Sequence, residues 1–485
     1  MVSPRTRSLL QYGVLALGLL AYGIVGVAAI AYPYDLGMYE GVVFAPALRL
    51  FQGEATFGPE AALTPPYNFP LYGPLYYAGL GALLKITGVA FWPGRLVSFV
   101  CGLGLAGLVF RHGRRVGLGT QESLLLANVF LMVPSAWTFF TIQRVDSPSL
   151  LLAGLGSVLM IERRGPRAAL LGGVLFALAA LTKPAVCGLF FGSLAFRVFE
   201  RRRIEAGLCA LSACVTFFGF VEGLRALGFG NYFFNLFASL DGSTSVASVE
   251  EVLRSVGGSP VFFILVTFSL LDLIGRGRRR SGDAAGPICL VLATFATGAI
   301  LAAHTGSSTN YLLEMFFALC LVVASSLGSG ALSRDPAAKG LAEVLLVAAF
   351  ATESIVFHGG FIRGRFLIPL SMAPTFQAIA RELSKLPAGS AVVGDLPDMV
   401  LRAGLRPWVN DVPQYTLGPA YVQAELKRAL SDETVTAVLT YGRFDEPGFV
   451  SSPLPIRTED SLGRIPVSQG PHLAIRALPA RDPAR

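Results

Sequence analysis

Between Ser8 and Tyr34 no residue carries a charge, and ten further apolar stretches follow along the chain. A backbone in such a stretch must satisfy its own hydrogen bonds, either as a helix crossing a bilayer or as a helix buried in a protein core. Repetition decides between the two. With 485 residues, 53% apolar and 14% charged side chains, and a mean hydropathy of +0.60, the chain is too apolar for a soluble protein of several domains, so the expectation is a polytopic all-α membrane protein. The first run is longer than the apolar region of a signal peptide and no small-residue cleavage pattern ends it, which makes it a retained span.

The candidate spans are 8–32, 95–111, 119–142, 147–162, 167–183, 184–199, 204–221, 258–274, 285–304, 310–329 and 340–358, with one more apolar stretch at 72–91. Whether 72–91 crosses sets the orientation of everything after it. If it does not, and Arg5 and Arg7 hold the N-terminus in the cytoplasm, the short loops facing inward carry sixteen Arg or Lys residues. The outward ones between the same spans carry only Arg144, Lys183, Arg225 and Arg254. That bias obeys the positive-inside rule, and the alternative inverts it. Pro70, Pro74 and Lys85 also suit a segment lying along the outer membrane face. Eleven crossings are expected, N-terminus in and C-terminus out. A membrane region over 1–358, with a first outer loop at 33–94, would precede a small extracytoplasmic α/β domain over 359–485. That domain would hold pieces such as "TFQAIARELSKL", "SAVVGD", "YVQAELKRAL" and "TVTAVLTYG" and end in a polar tail.

The net charge of +8 comes from arginine clusters that orient spans, which argues against a nucleic-acid partner. Cys101, Cys187, Cys209, Cys214, Cys289 and Cys320 lie in apolar segments without metal spacing and read as small buried hydrophobes.

With that orientation the unusual polar residues converge on the outer side. Ionisable groups at membrane depth cost about 2.5–3.5 kcal/mol each on insertion scales and need a reason. Asp35 either caps a helix over 36–51 or serves chemistry with Glu40. Asp146 or Ser147 either caps the helix that follows, with Arg144 as an interfacial anchor, or belongs to a site. Lys183 stands alone on the face that positive charge avoids, which favours a buried or anion-paired lysine. Asn310 and Glu314 lie one helical turn apart, for interhelical bonding or for a ligand. Asp35, Glu40 and Asp146 could hold a divalent cation if they meet. A carboxylate beside Arg and Lys suits transfer of a group away from a phosphate. The carboxylate would deprotonate the acceptor while the cations hold the departing anion.

The order of "YDLGMYEG", "PPYNFPLYGPLYYAGLGALL", "GRLVSFVCGLGLAGL", "RVDSPSLLLAGL" and "ALAALTKPAVCGL" resembles the C-type (GT-C) glycosyltransferases. This integral-membrane superfamily includes protein O-mannosyltransferases and the bacterial aminoarabinose transferase. The resemblance covers about 8–320. It implies a sugar taken from a polyprenyl-phosphate carrier on the outer side of the cytoplasmic membrane, usually with inversion, and passed to an extracytoplasmic acceptor. It also implies Asp35 as base, Asp146 as the second outer-loop acid, Arg95, Arg144 and Lys183 on the carrier phosphate, and a juxtamembrane 72–91. Tyr72, Asn310, Tyr311 and Glu314 complete the candidate substrate contacts. The chain departs from the family where Leu36 follows Asp35 in place of a second acid, and where "LTPPYN" lacks the usual His. A transporter or flippase, or an assembly subunit without catalysis, are the competing readings; no internal repeat supports the first.

Overall fold

The computed structural model describes residues 4–36, 40–63, 68, 70, 72–238, 244–277, 285–303, 309–328, 336–353, 368–394, 397–408, 437–440, 449–453 and 472–476. Helix α1 (Pro4–Ala31) is followed by a 3-10 turn at Glu40–Val43, α2 (Phe44–Phe51), α3 (Pro59–Leu63) and α4 (Pro74–Thr87). The bundle continues with α5 (Trp92–Arg115), α6 (Thr120–Met132), α7 (Pro134–Phe140), α8 (Asp146–Glu162), α9 (Pro166–Thr182), α10 (Gly188–Phe199) and α11 (Arg203–Ala226). After these come α12 (Tyr232–Ala238), α13 (Val246–Gly257), α14 (Pro260–Gly277), α15 (Ala285–Ala302), α16 (Leu313–Gly328) and α17 (Pro336–Glu353).

Exposure follows the solvent a membrane protein meets. On α1 the side chains of Leu20, Ile24 and Val27, and on α11 those of Leu211, Val215 and Phe218, are exposed at helical spacing, forming apolar stripes on the outside of the bundle. Helix α16 is instead buried along nearly its whole length and forms the centre against which the others pack. By length and hydropathy, three helices among the described residues qualify as spans, or four if the bent pair α6–α7 counts as one.

Three expectations change in detail. The stretch 119–142 is broken, with α6 and α7 meeting at 70°. Pro134 opens α7, and Val133 before it is extended at φ −59°, ψ 131°, the conformation a following proline imposes. Where a helix over 36–51 is one alternative, the described residues form a 3-10 turn at Glu40–Val43 and the short α2. The apolar stretch 72–91 yields only the fourteen residues of α4, about 21 Å at 1.5 Å per residue and too short for a hydrocarbon core of about 30 Å.

The C-terminal part contains α18 (Ile368–Leu383), α19 (Pro397–Arg402) and a five-stranded sheet of order β2-β1-β3-β5-β4. In that sheet β1 (Ala391–Gly394) runs parallel to β2 (Arg406–Pro407) and β3 (Ala437–Thr440). Strand β5 (His472–Arg476) pairs antiparallel with β3 and with β4 (Phe449–Pro453). Phe376, Ile379 and Leu383 present one face of α18 to Val392, Met399, Val400 and Leu405, a core separate from that of the bundle. The stretch "YVQAELKRAL" and the polar tail lie outside the described residues.

Candidate active site

Glu40 opens the 3-10 turn and is fully buried. Its Oε1 accepts from Arg95 Nε at 2.9 Å and from the backbone N–H of Gln143 at 2.6 Å. Its Oε2 accepts from Arg95 Nη2 at 2.6 Å and from the N–H of Leu36 at 2.8 Å. Arg95, in the first turn of α5, places its remaining donors on carbonyls: Nη1 on Ala29 at 2.7 Å and Tyr32 at 2.5 Å, Nη2 on Tyr34 at 2.6 Å. A guanidinium has five N–H donors, and here all are engaged.

This geometry bears on two of the candidate site residues: Arg95 is fully buried with all its donors engaged inside the protein, and Glu40 is paired with Arg95. A buried carboxylate stays ionised only with partners of this kind, and each of these two groups is the other's partner. Together they rivet the first loop to the turn ahead of α8. Gln143 Nε2 also donates to the Glu40 carbonyl at 3.3 Å. Gly94 makes room for it: a Cβ there would come within 2.3 Å of Gln143 Oε1.

Asp35, partly exposed, stands on the riveted loop, and its Oδ2 accepts from the Gly41 N–H at 3.2 Å. It therefore braces the 3-10 turn and does not cap a helix at 36.

The second part of the site is built around Asp146, buried at the start of α8. Its Oδ1 accepts from Lys183 Nζ at 2.6 Å and Asn310 Nδ2 at 2.9 Å, and its Oδ2 from Arg144 Nε at 3.4 Å. No side chain caps α8, so the capping alternative for Asp146 and Ser147 is not what the structure uses. Arg144 is not a surface anchor either; its guanidinium lies 5.4 Å from the Tyr72 ring centroid and 5.9 Å from that of Phe139. Lys183 lies 4.7 Å from the Tyr311 ring centroid, a cation over an aromatic face.

Asn310 and Glu314 divide their work. Asn310, in the 3-10 turn Thr309–Leu312, serves Asp146, whereas Glu314 accepts from the N–H groups of Gly188 and Leu189 at 3.1 and 3.0 Å, the unpaired donors at the start of α10. Asp146, Lys183, Asn310, Tyr311 and Glu314 line one narrow cleft with Leu150, Ala185, Val186 and Leu313.

The structure thus gathers Tyr72, Arg144, Asp146, Lys183, Asn310, Tyr311 and Glu314, sets Asp35 on the loop riveted to them, and pairs Glu40 with Arg95 beside them. No group of three or more His, Cys, Asp or Glu side chains suited to a metal ion occurs among the described residues. The proposed cation ligands are divided: Glu40 is taken by Arg95 and Asp146 by Lys183.

Gln143, Ser98 and Gly73 were not legible as site residues. Ser98 Oγ bonds the backbone of Arg144. The Gly73 N–H donates to the Thr182 carbonyl at 3.0 Å and so ties α4 to the residue before Lys183. Gly73 and Ser98 lie within quoted motifs and Gln143 directly precedes one, but nothing in the sequence marked any of the three as a contact.

Fold and site together define a helical integral membrane protein with a charged cleft where short helices meet the bundle. Residues 71–222 match the family model described as dolichyl-phosphate-mannose-protein mannosyltransferase. Two crystal structures of ArnT from Cupriavidus metallidurans share the fold. The apo form matches at 14% identity and TM-score 0.60, covering 88% of this chain and 93% of that one. The form bound to undecaprenyl phosphate matches at 13% and 0.63, covering 95% and 98%. No curated protein matches the chain in sequence. The resemblance to the GT-C glycosyltransferases stands, and the fold of ArnT extends over nearly the whole chain.

Proposed function

We propose that the protein transfers a sugar from a polyprenyl-phosphate donor to an extracytoplasmic acceptor in the cytoplasmic membrane. The observation that carries this reading is the Arg144–Asp146–Lys183 cluster, two cations sharing one carboxylate at a cleft. Arg144 and Lys183 place two cationic donors on one carboxylate, groups of the kind that hold a phosphate whose negative charge grows as a glycosidic bond breaks. The related fold with undecaprenyl phosphate bound supports a lipid-phosphate donor of this class.

In the reaction Asp35 takes the proton of the acceptor hydroxyl or amine. The acceptor atom forms its bond to the anomeric carbon from the face opposite the phosphate. The carbon–oxygen bond to phosphate breaks with its electron pair going to the phosphate oxygen, and polyprenyl phosphate leaves with inversion. Arg144 and Lys183 hold the leaving phosphate, Asp146 and Asn310 fix the lysine, and Tyr72 and Tyr311 keep the two cations oriented by their ring faces. Glu314 holds the start of α10 against the cleft. Eleven crossings with a non-crossing α4 would put this cleft and the C-terminal sheet outside.

The test is transfer of radiolabelled sugar from a panel of polyprenyl-phosphate hexoses and pentoses by purified protein with membrane acceptors. Asp35→Asn is expected to lower kcat about 10²- to 10⁴-fold, the usual worth of a general base, while undecaprenyl phosphate still binds. Lys183→Ala is expected to weaken that binding. Full activity of Asp35→Asn would remove the base assignment, and unchanged binding by Lys183→Ala would remove the phosphate site.

A further inference from the structure

The loop that carries Asp35 is held from two sides, and only one of them is the membrane bundle. Arg95 takes the carbonyls of Tyr32 and Tyr34 from within the bundle. The carbonyl between them, that of Pro33, accepts from Arg402 Nη1 at 2.5 Å, and Arg402 closes α19 in the C-terminal part. Both guanidiniums pack on one ring, that of Phe91, at 4.7 Å for Arg95 and 5.0 Å for Arg402.

Two further contacts extend the grip. The Tyr34 ring stacks on Phe376 of α18 at 5.1 Å. Asp398 of α19 is buried against Gly41, the residue whose N–H bonds Asp35; a Cβ on Gly41 would come within 2.8 Å of Asp398 Oδ1. Contacts from α18 and α19 therefore reach Pro33 and Tyr34 ahead of Asp35 and Gly41 beyond it. Their partners lie 342 to 369 positions away in sequence, too far for any motif to show.

We infer that Arg402 and Asp398 are positioning residues for Asp35, and that the C-terminal part forms the outer jaw of a clamp whose inner jaw is Arg95. This rests on Asp35 acting as the base. Two like charges converge on Phe91, and Glu40, Asp35 and Asp398 are the carboxylates near them. The arrangement is stable only while the loop lies between both jaws. Without the outer jaw the Pro33 carbonyl loses its donor, and the loop keeps only its inner attachments. Asp35 would then stray from the geometry a proton transfer needs, and a displacement of about 1 Å costs about 100-fold in rate.

The experiment compares wild type, Arg402→Ala, Arg402→Gln, Asp35→Asn and the exposed control Lys385→Ala. It measures hydrogen exchange at the Leu36 and Gly41 amides without substrate, and kcat and KM for a radiolabelled polyprenyl-phosphate sugar that wild type turns over. Arg402→Ala is expected to speed exchange at both amides and to lower kcat about 10- to 100-fold with donor KM unchanged; Lys385→Ala is expected to match wild type. Unchanged exchange and kcat in Arg402→Ala, or a rise in KM alone, overturns the clamp. If Arg402→Ala does not fold, Arg402→Gln decides by the same criteria, since it keeps the aliphatic stem while its shorter amide falls short of the Pro33 carbonyl and brings no charge to Phe91. Activity in Asp35→Asn would instead sink the underlying base assignment. An inactive Asp35→Asn beside a wild-type Arg402→Ala rejects the clamp alone.

Discussion

Glu40 and Asp35 lie five residues apart in one acidic motif, yet their surroundings differ: Glu40 is fully buried in an ion pair with Arg95, and Asp35 is partly exposed. The Glu40–Arg95 pair is wholly out of water, so removing either partner strands a charge. Arg95→Ala and Glu40→Ala are each expected to cost about 3–5 kcal/mol, read as a large fall in Tm of the detergent-solubilised protein. Asp35→Asn, on a partly exposed residue, should leave Tm near wild type while activity falls. If Arg95→Ala folded normally and lost only donor binding, Arg95 would return to the phosphate site. Asp146 shows the same logic with another outcome: it and its partner Lys183 line a cleft, where a ligand can compete for the lysine.

At the level of elements, the junction of α4 with α9 brings Tyr72 and Lys183 to the same site. It depends on the absence of a side chain at Gly73, where a Cβ would lie 2.0 Å from the Leu181 carbonyl oxygen. Gly73→Ala must push the two backbones apart. The expected cost is about 1–3 kcal/mol, typical of overpacking, with loss of transfer activity. Equal stability and activity would show that α4 can shift without consequence.

Helix α19 adds a pH dependence. Burial, and then the negative charge of Glu40, push the Asp398 carboxyl up to about 6 against the opposing pull of Arg402. Arg95, Tyr34 and Asp35 act on Arg402 in turn. A carboxyl with a raised folded pKa contributes stability that is present below its unfolded pKa of about 4 and lost as pH rises through about 6. Asp398→Asn is therefore expected to be more stable than wild type at pH 8, by up to about 3 kcal/mol, and no more stable at pH 4. Melting curves at the two pH values check the sign.

For the whole molecule, the orientation expected from charge counts along the chain can be tested by labelling. In a cysteine-free background, Glu54→Cys in the first loop should react with a membrane-impermeant maleimide in intact cells. Arg164→Cys, between α8 and α9, should react only after permeabilisation. Both side chains are exposed, at 53% and 75%, so access is set by the membrane. Reversed labelling would invert the orientation and place the cleft in the cytoplasm.

Hydropathy and charge are local, additive properties of a chain, so the membrane habit, the proline-broken apolar stretch 72–91 and the order of the polar motifs could be read residue by residue. The resemblance to GT-C enzymes rested on that order, and the fold agrees with it. Partnership is not local. Arg95 and Lys183 look alike in sequence, each a lone cation near a proline in an apolar setting, but one meets Glu40 from 55 positions away and the other meets Asp146 from 37. Asn310 reaches Asp146 across 164 positions and Arg402 reaches Pro33 across 369. Which carboxylate is spent inside the protein and which stays available to a substrate depends on which helices pack together. Only the tertiary structure decided that, because a buried charge takes its role from the neighbour that desolvation forces it to find.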